Sequence, residues 1–194
     1  MSSLEATQNQ TGIPNGKLGM WLFLASEVML FGGLLSSYVI LRTGSPNFGM
    51  PARELLGVPW ATLNTFVLIT SSVSMVLALS AMQDGRIPAF RNFMLLTITL
   101  GFVFLGIKSY EYWHKISEGI TITSSLFGSF YFTLTGLHAL HVIGGIVFNI
   151  YVLVQGLKGK IINPDHPDRL EYAGLYWHFV DVVWVFLFPL IYLI

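Results

Sequence analysis

The chain has 194 residues, of which 54% are hydrophobic and only 10% are charged, and its mean hydropathy of +0.67 predicts a multi-pass membrane protein and excludes a soluble globular domain. The net charge is zero and the cations form no basic stripe, so the sequence does not indicate nucleic-acid binding. The absence of cysteine excludes disulfides, thiolate metal sites and iron–sulfur clusters.

The first 16 residues are polar and lack the basic start and apolar core of a secretory signal. We interpret residues 1–16 as a flexible N-terminal tail and residues 17–194 as a single transmembrane domain. Within that domain, five apolar segments are each long enough to cross a hydrocarbon layer of roughly 30 Å. These segments are 18–42, 61–82, 92–114, 126–155 and 173–194. The predicted fold is an all-α membrane protein, a bundle of five transmembrane helices.

The orientation of the bundle follows from the cations in its short loops. Six of them fall on the side of the N-terminus: Lys17, Arg86, Arg91, Lys158, Lys160 and Arg169. Three fall on the other side: Arg42, Arg53 and Lys115. Because cytoplasmic loops carry the excess of Lys and Arg, we predict a cytoplasmic N-terminus and, after five spans, an external C-terminus.

Ionisable side chains occur inside these apolar spans, where each one costs several kcal/mol unless it faces a protein interior and finds a partner. They are Glu27, His138, His141, His178 and Asp181. At a rise of about 1.5 Å per residue, Glu27, His178 and Asp181 lie about 8–14 Å into their spans. His138 and His141 of span four could reach the same level. The sequence therefore predicts a buried polar cluster, in which Glu27 pairs with His138 or His141.

Two chemical interpretations of this predicted cluster remain open on residue types alone. Imidazole and carboxylate groups are metal and haem ligands, so one interpretation is a bound metal or haem iron that joins two helices. The alternative is a set of hydrogen bonds between helices, each worth about 0.6 kcal/mol in a membrane bundle.

A second group of charges lies near the outer end of span three. Lys108, Glu111 and Lys115 are spaced three and four residues apart, so the carboxylate can pair with either amine on one helix face. We expect an interfacial charge ladder whose lysines extend to the membrane surface. Among the loop cations, Arg86, Arg91, Lys158 and Lys160 are candidates for binding lipid headgroups.

Four segments closely resemble subunit III of the haem-copper terminal oxidases. They are KLGMWLFLASEVMLF at 17–31, VPWATLNT at 58–65, GSFYFTLTGLHALHV at 128–142 and EYAGLYWHFVDVVW at 171–184. The motifs occur in the order typical of that family and cover nearly the whole chain. Longer members have seven spans, and this sequence resembles the five-span form that is common in bacteria, which lacks the two helices that form one wall of a lipid cleft.

The resemblance implies a chain without redox centres that packs against the catalytic subunit I of an oxygen-reducing, proton-pumping oxidase. It implies a complex with subunit II and small subunits, haem and copper on the partner subunits, bound phospholipid, no catalytic or metal residue on this chain, and a bacterial inner membrane location. In the family, the glutamate that matches Glu27 reacts with carbodiimides, and the cation that matches Lys158 contacts lipid. The subunit supports proton uptake and protects the catalytic centre during turnover.

The expected function is therefore subunit III of a cytochrome c oxidase of the aa3 or caa3 type. Three alternatives stay open: subunit III of a quinol oxidase or a homologue associated with nitric oxide reductase, a small membrane transporter, and a self-sufficient haem or metal enzyme. The electron donor is not fixed by this sequence, because donor sites lie on other subunits.

Overall fold

The computed structural model describes residues 15–46, 48–49, 56–159 and 169–193. Helix α1 spans Asn15–Gly44, α2 Val58–Gln83, α3 Ile87–Ser117, α4 Leu126–Leu157 and α5 Arg169–Phe188, and a π-helical turn at Pro189–Leu193 extends α5. All five helices are long and apolar enough to cross a membrane, so the five predicted spans are confirmed. The helices continue a few residues past most of the predicted boundaries because polar residues extend the backbone hydrogen bonding beyond the apolar segments.

The helix ends follow local sequence rules. Ser125 caps the start of α4, where its hydroxyl accepts a hydrogen bond of 3.0 Å from the Gly128 amide. At the end of α2, the Arg86 amide donates to the Ala81 carbonyl and the Gly85 amide to that of Met82. This pattern needs a left-handed residue, and Gly85 supplies it with φ of 71°. The short connection holds α2 and α3 as an antiparallel hairpin.

Helices α2 to α5 form a closed four-helix bundle, in which α2 packs on α3 and α5, and α4 packs on the same two helices. Helix α1 lies outside this bundle, and among the described helices it packs mainly against α4 and α5. Its buried residues are Phe31 and Tyr38, whereas Met29 on its opposite face is 71% exposed. The predicted five-helix bundle is thus a four-helix core with one lateral helix.

Two fully buried tryptophans of α5 fill the centre of the core. The indole N–H of Trp177 donates to the Ser71 hydroxyl at 2.8 Å, and that of Trp184 donates to the Thr65 hydroxyl at 3.0 Å. A Cβ placed on Gly145 would lie 2.7 Å from the Trp177 ring. Close approach of α4 and α5 therefore depends on the absence of a side chain at that position.

The C-terminal turn widens from α to π geometry at Pro189. Proline has no N–H to donate and its ring clashes with the carbonyl four residues earlier, so the regular α ladder cannot continue through it. The wider turn directs Tyr192 into the bundle, where it is 2% exposed.

Candidate functional site

Glu27 of α1 and His141 of α4 form a contact between the lateral helix and the core. Glu27 Oε2 lies 3.0 Å from His141 Nε2, and the two side chains are 15% and 18% exposed. The Tyr176 hydroxyl of α5 donates to the His141 carbonyl oxygen at 3.1 Å. The partner expected for Glu27 on span four is therefore present, and it is His141.

The hydrogen bonds of His141 assign the protons of this pair. Nδ1 lies 2.8 Å from the carbonyl oxygen of Leu137, which can only accept, so Nδ1 carries a proton. One further proton is then shared between Nε2 and the Glu27 carboxyl. Either a neutral imidazole accepts from a carboxylic acid, or an imidazolium donates to a carboxylate. The pair has zero net charge in both forms, which suits a position inside a membrane span.

His178 and Asp181 of α5 lie on the opposite side of that helix, towards α2. His178 Nδ1 is 2.7 Å from the Ser72 hydroxyl, and the Asp181 carboxyl lies beside the same serine. Asp181 is 7% exposed, and neither of its carboxyl oxygens has a hydrogen-bond partner among the residues that the structure describes. The expectation that both residues turn away from lipid holds for Asp181, whereas His178 is half-buried at the edge of the bundle.

His138 lies in the core and is 1% exposed. Neither of its ring nitrogens has a hydrogen-bond partner in the described part of the chain. Its ring packs between Phe104, at a centroid distance of 5.5 Å, and Trp184, at 5.2 Å. Aromatic packing thus accounts for its position.

The five ionisable residues predicted to form one cluster do not come together. They divide into the Glu27–His141 pair, the Ser72–His178–Asp181 group, and His138 alone. Similar estimated depths in the membrane suggested a common cluster, but depth carries no information on the direction in which each side chain leaves its helix. This part of the prediction was wrong for that reason.

The charge ladder of α3 is buried, which corrects the expectation that its lysines extend to the membrane surface. Lys108, Glu111 and Lys115 are 3%, 4% and 1% exposed. Lys108 Nζ lies 3.0 Å from Glu111 Oε2, and Lys115 Nζ lies 2.9 Å from Glu111 Oε1. The spacing predicted these pairs correctly, whereas the direction of the helix face depended on packing that the spacing does not report.

Two tyrosines complete this buried group and were missed in the sequence. The hydroxyls of Tyr131 and Tyr192 donate to Glu111 Oε1 at 2.9 and 2.7 Å. Lys108 also lies 5.1 Å from the Trp184 ring centroid, within range of a cation–π interaction. Tyr131 could have been found, because it precedes His138 by seven residues and hence shares its helix face. No sequence signal marked Tyr192.

The membrane-surface cations are mostly exposed. Lys158 and Arg91 are exposed, and Arg86 forms an exposed ion pair with Asp84 at 2.6 Å. Lys160 lies outside the described residues. An ion pair not anticipated from the sequence joins Lys17 of α1 to Glu171 of α5 at 2.8 Å. Within the described part of the chain, no group of three His, Asp or Glu side chains is arranged to hold a metal ion.

The site and fold agree with what sequence comparison finds. The family profile described as cytochrome c oxidase subunit III matches residues 3–194. A Staphylococcus saprophyticus protein described as "Probable quinol oxidase subunit 3" is 37% identical over 179 residues, which cover 92% of this chain and 88% of the relative. A Staphylococcus aureus protein with the same description is 36% identical over 178 residues, with the same coverage. The chain therefore belongs to the cytochrome c oxidase subunit III family and is a subunit III of the haem-copper oxidases.

Proposed function

We propose that this chain is the non-catalytic subunit III of an aerobic quinol oxidase. The observation that carries this proposal is that two relatives at 36–37% identity, aligned over 92% of this chain, are both described as probable quinol oxidase subunit 3. The second candidate is subunit III of a cytochrome c oxidase, which the resemblance alone led us to expect. The name of the matching family supports this second candidate, but the similar individual proteins favour quinol.

In this proposal the chain packs against the catalytic subunit, which carries the haem and copper, and holds no redox centre itself. The internally satisfied Glu111 group gives the core a fixed arrangement of α3, α4 and the end of α5. The Glu27–His141 pair fixes α1 against that core. A rigid companion of this kind can keep water and lipid correctly arranged beside the proton entry route and so extend the working life of the oxidase.

Phospholipid is the proposed small-molecule partner. An apolar groove between α1 and α5, lined by Val28, Leu35, Phe179 and Phe186, suits an acyl chain. The exposed side chains of Arg91 and Lys158 at the N-terminal side of the bundle suit the headgroups.

The proposed location is a bacterial cytoplasmic membrane, with the N-terminus in the cytoplasm. The ion pair between Lys17 and Glu171 puts the start of α1 and the start of α5 at the same side of the bundle. The excess of Lys and Arg on that side of the bundle favours a cytoplasmic N-terminus.

The donor assignment is tested on the complex isolated through an affinity tag on this chain. Oxygen consumption is measured with a reduced quinol and, separately, with reduced cytochrome c. The proposal predicts rapid oxygen consumption with quinol and little with cytochrome c. Rapid oxidation of cytochrome c with no response to quinol would favour the second candidate.

A further inference from the structure

The edge between α2 and α5 presents polar atoms that no described residue of this chain satisfies. We call Ser72, His178 and Asp181 the α2–α5 seam. Ser72 bonds His178 Nδ1 at 2.7 Å, while Asp181 is 7% exposed and neither of its carboxyl oxygens has a hydrogen-bond partner in the described part of the chain. Within the same residues His178 Nε2 makes no hydrogen bond, and unlike the two ring nitrogens of His138 it is not buried.

The seam lies within the membrane. His178 is nine residues from the start of α5, which places it about 14 Å along the helix. The surrounding outward side chains are apolar: Val76, Val182 and Val185 are 51%, 51% and 49% exposed. Lipid chains offer no hydrogen bonds, so an imidazole nitrogen at this level costs free energy unless a protein group covers it.

Several hydroxyls on the outer faces of the spans do not have this requirement, because those of Ser26, Ser37 and Thr70 donate to carbonyl oxygens of their own helices. Glu27 and His141 satisfy each other. No described residue of this chain bonds His178 Nε2, so the partner that we infer for it comes from another chain.

We propose that a transmembrane helix of the catalytic subunit docks on the α2–α5 seam and brings a hydrogen-bonding side chain to His178. This inference rests on the proposed assembly with a catalytic subunit, but it does not depend on the identity of the electron donor. A lipid headgroup is a poor occupant because it lies at the membrane surface, and an acyl chain cannot form the hydrogen bond.

Docking would also satisfy the buried acid. When the partner side chain donates to His178 Nε2, the ring proton resides on Nδ1 and is donated to the Ser72 oxygen. The Ser72 hydroxyl is then free to turn towards the neighbouring Asp181 carboxyl. A single contact at His178 thus orders the side chains of His178, Ser72 and Asp181. The buried Asp181 carboxyl gains a hydrogen-bond donor in the complex in this way.

Photo-cross-linking locates the docking face. A photoreactive amino acid replaces Val185, which is 49% exposed and lies one helical turn after Asp181, or Phe102, which is 55% exposed on α3 at a similar depth and serves as the control. Each variant complex is isolated in the native membrane and irradiated. A cross-link to the catalytic subunit from position 185 and not from position 102 supports the proposal. A product from 102 alone, equal products from both, or none from either in a haem-containing complex overturns it.

Substitution at His178 tests the hydrogen bond itself. His178→Leu should lower the haem recovered per tagged chain about tenfold after a detergent wash. His178→Gln, which keeps a donor and an acceptor, should restore most of it, and Ser36→Ala on α1 is the control. Unchanged recovery with His178→Leu, in a variant whose helix content is normal, contradicts the proposal. Failure of the wild-type chain to recover any haem would instead contradict the proposed function.

Discussion

Glu111 is the residue on which the largest buried electrostatic group depends. Its carboxylate accepts hydrogen bonds from two lysines and two tyrosines, and its exposed fraction is 4%. Two ammonium groups and one carboxylate in a membrane core remain tolerable only because each finds close oppositely charged or polar neighbours.

Replacing this carboxylate should therefore be severe. Glu111→Gln leaves Lys108 and Lys115 buried without a counter-charge, and the free energy of unfolding in mixed detergent should fall by about 3–5 kcal/mol. The control is Glu118→Gln, the same change at the exposed end of α3, which should shift it by less than about 0.5 kcal/mol. Equal effects of the two substitutions would show that the group does not stabilise the core.

The Glu27–His141 contact should appear as an energetic coupling. A double-mutant cycle of Glu27→Ala and His141→Ala, followed by unfolding in mixed detergent, should give about 0.6–1.7 kcal/mol. Glu27→Ala combined with His178→Ala is the control, because Glu27 bonds His141 of α4 whereas His178 bonds Ser72 of α2. A coupling near zero for the first pair would contradict the observed contact.

Sequence reasoning at this scale found which residues were unusual but not all of their contacts. The pairing of Glu27 with a histidine of span four was predicted correctly, because a lone carboxylate in apolar spans has few possible partners, but the choice of His141 over His138 came only from the structure. The role of Tyr192 could not be predicted, since it depends on the π-helical turn after Pro189. The burial of Lys115 likewise depends on the Leu56 carbonyl, which approaches from a distant segment at 3.0 Å.

Among the helices, α4 and α5 organise the bundle, because α5 packs against α1, α2 and α4, and α4 packs against α1, α3 and α5. The five spans could be predicted from hydropathy alone, since each must contain an apolar run of membrane length. The lateral position of α1 could not, because all five helices are apolar on every side and hydropathy therefore gives no inward face. Small residues, which permit close approach, carry more of that information.

Close packing of α4 on α5 yields an element-scale prediction. Gly145→Ala places a methyl group 2.7 Å from the Trp177 ring and should lower the free energy of unfolding by about 1–3 kcal/mol. Gly106→Ala on α3, where no atom lies within 4 Å, should be neutral or slightly stabilising because alanine favours helix. Thermal unfolding of the two purified variants compares them directly. A Gly145→Ala variant as stable as Gly106→Ala would show that the two helices do not approach this closely.

At the scale of the whole molecule, stability of the chain and function of the complex make different demands on the seam. Asp181 is buried and has no hydrogen-bond partner among the described residues, so it does not stabilise the isolated bundle. The sequence predicted that this carboxyl would find a partner in one polar cluster, which these residues do not provide. We expect its contribution to arise in the assembled oxidase, as the proposed docking requires.

Asp181→Leu should thus separate the two properties. The isolated chain should unfold with a free energy that is unchanged or raised by about 1–3 kcal/mol, because an unsatisfied carboxyl is removed. The oxidase containing it should lose catalytic subunit or become inactive after fewer turnovers. Asp84→Leu, at the exposed α2–α3 turn, is the matched control for both measurements. The opposite result would contradict this expectation: a lower free energy of unfolding for the isolated chain, together with an oxidase that keeps its catalytic subunit and its normal number of turnovers.

The central claim is that this chain is a cofactor-free companion of a catalytic oxidase subunit. The most direct test is to isolate the intact complex through a tag on this chain, record its subunit masses and haem spectrum, and then dissociate it and record the spectrum of the chain alone. We predict that haem and oxygen reduction follow the copurified catalytic subunit and that the separated chain is colourless. Haem or tightly bound metal retained by the separated chain, or a complex that contains no haem protein, would contradict this account.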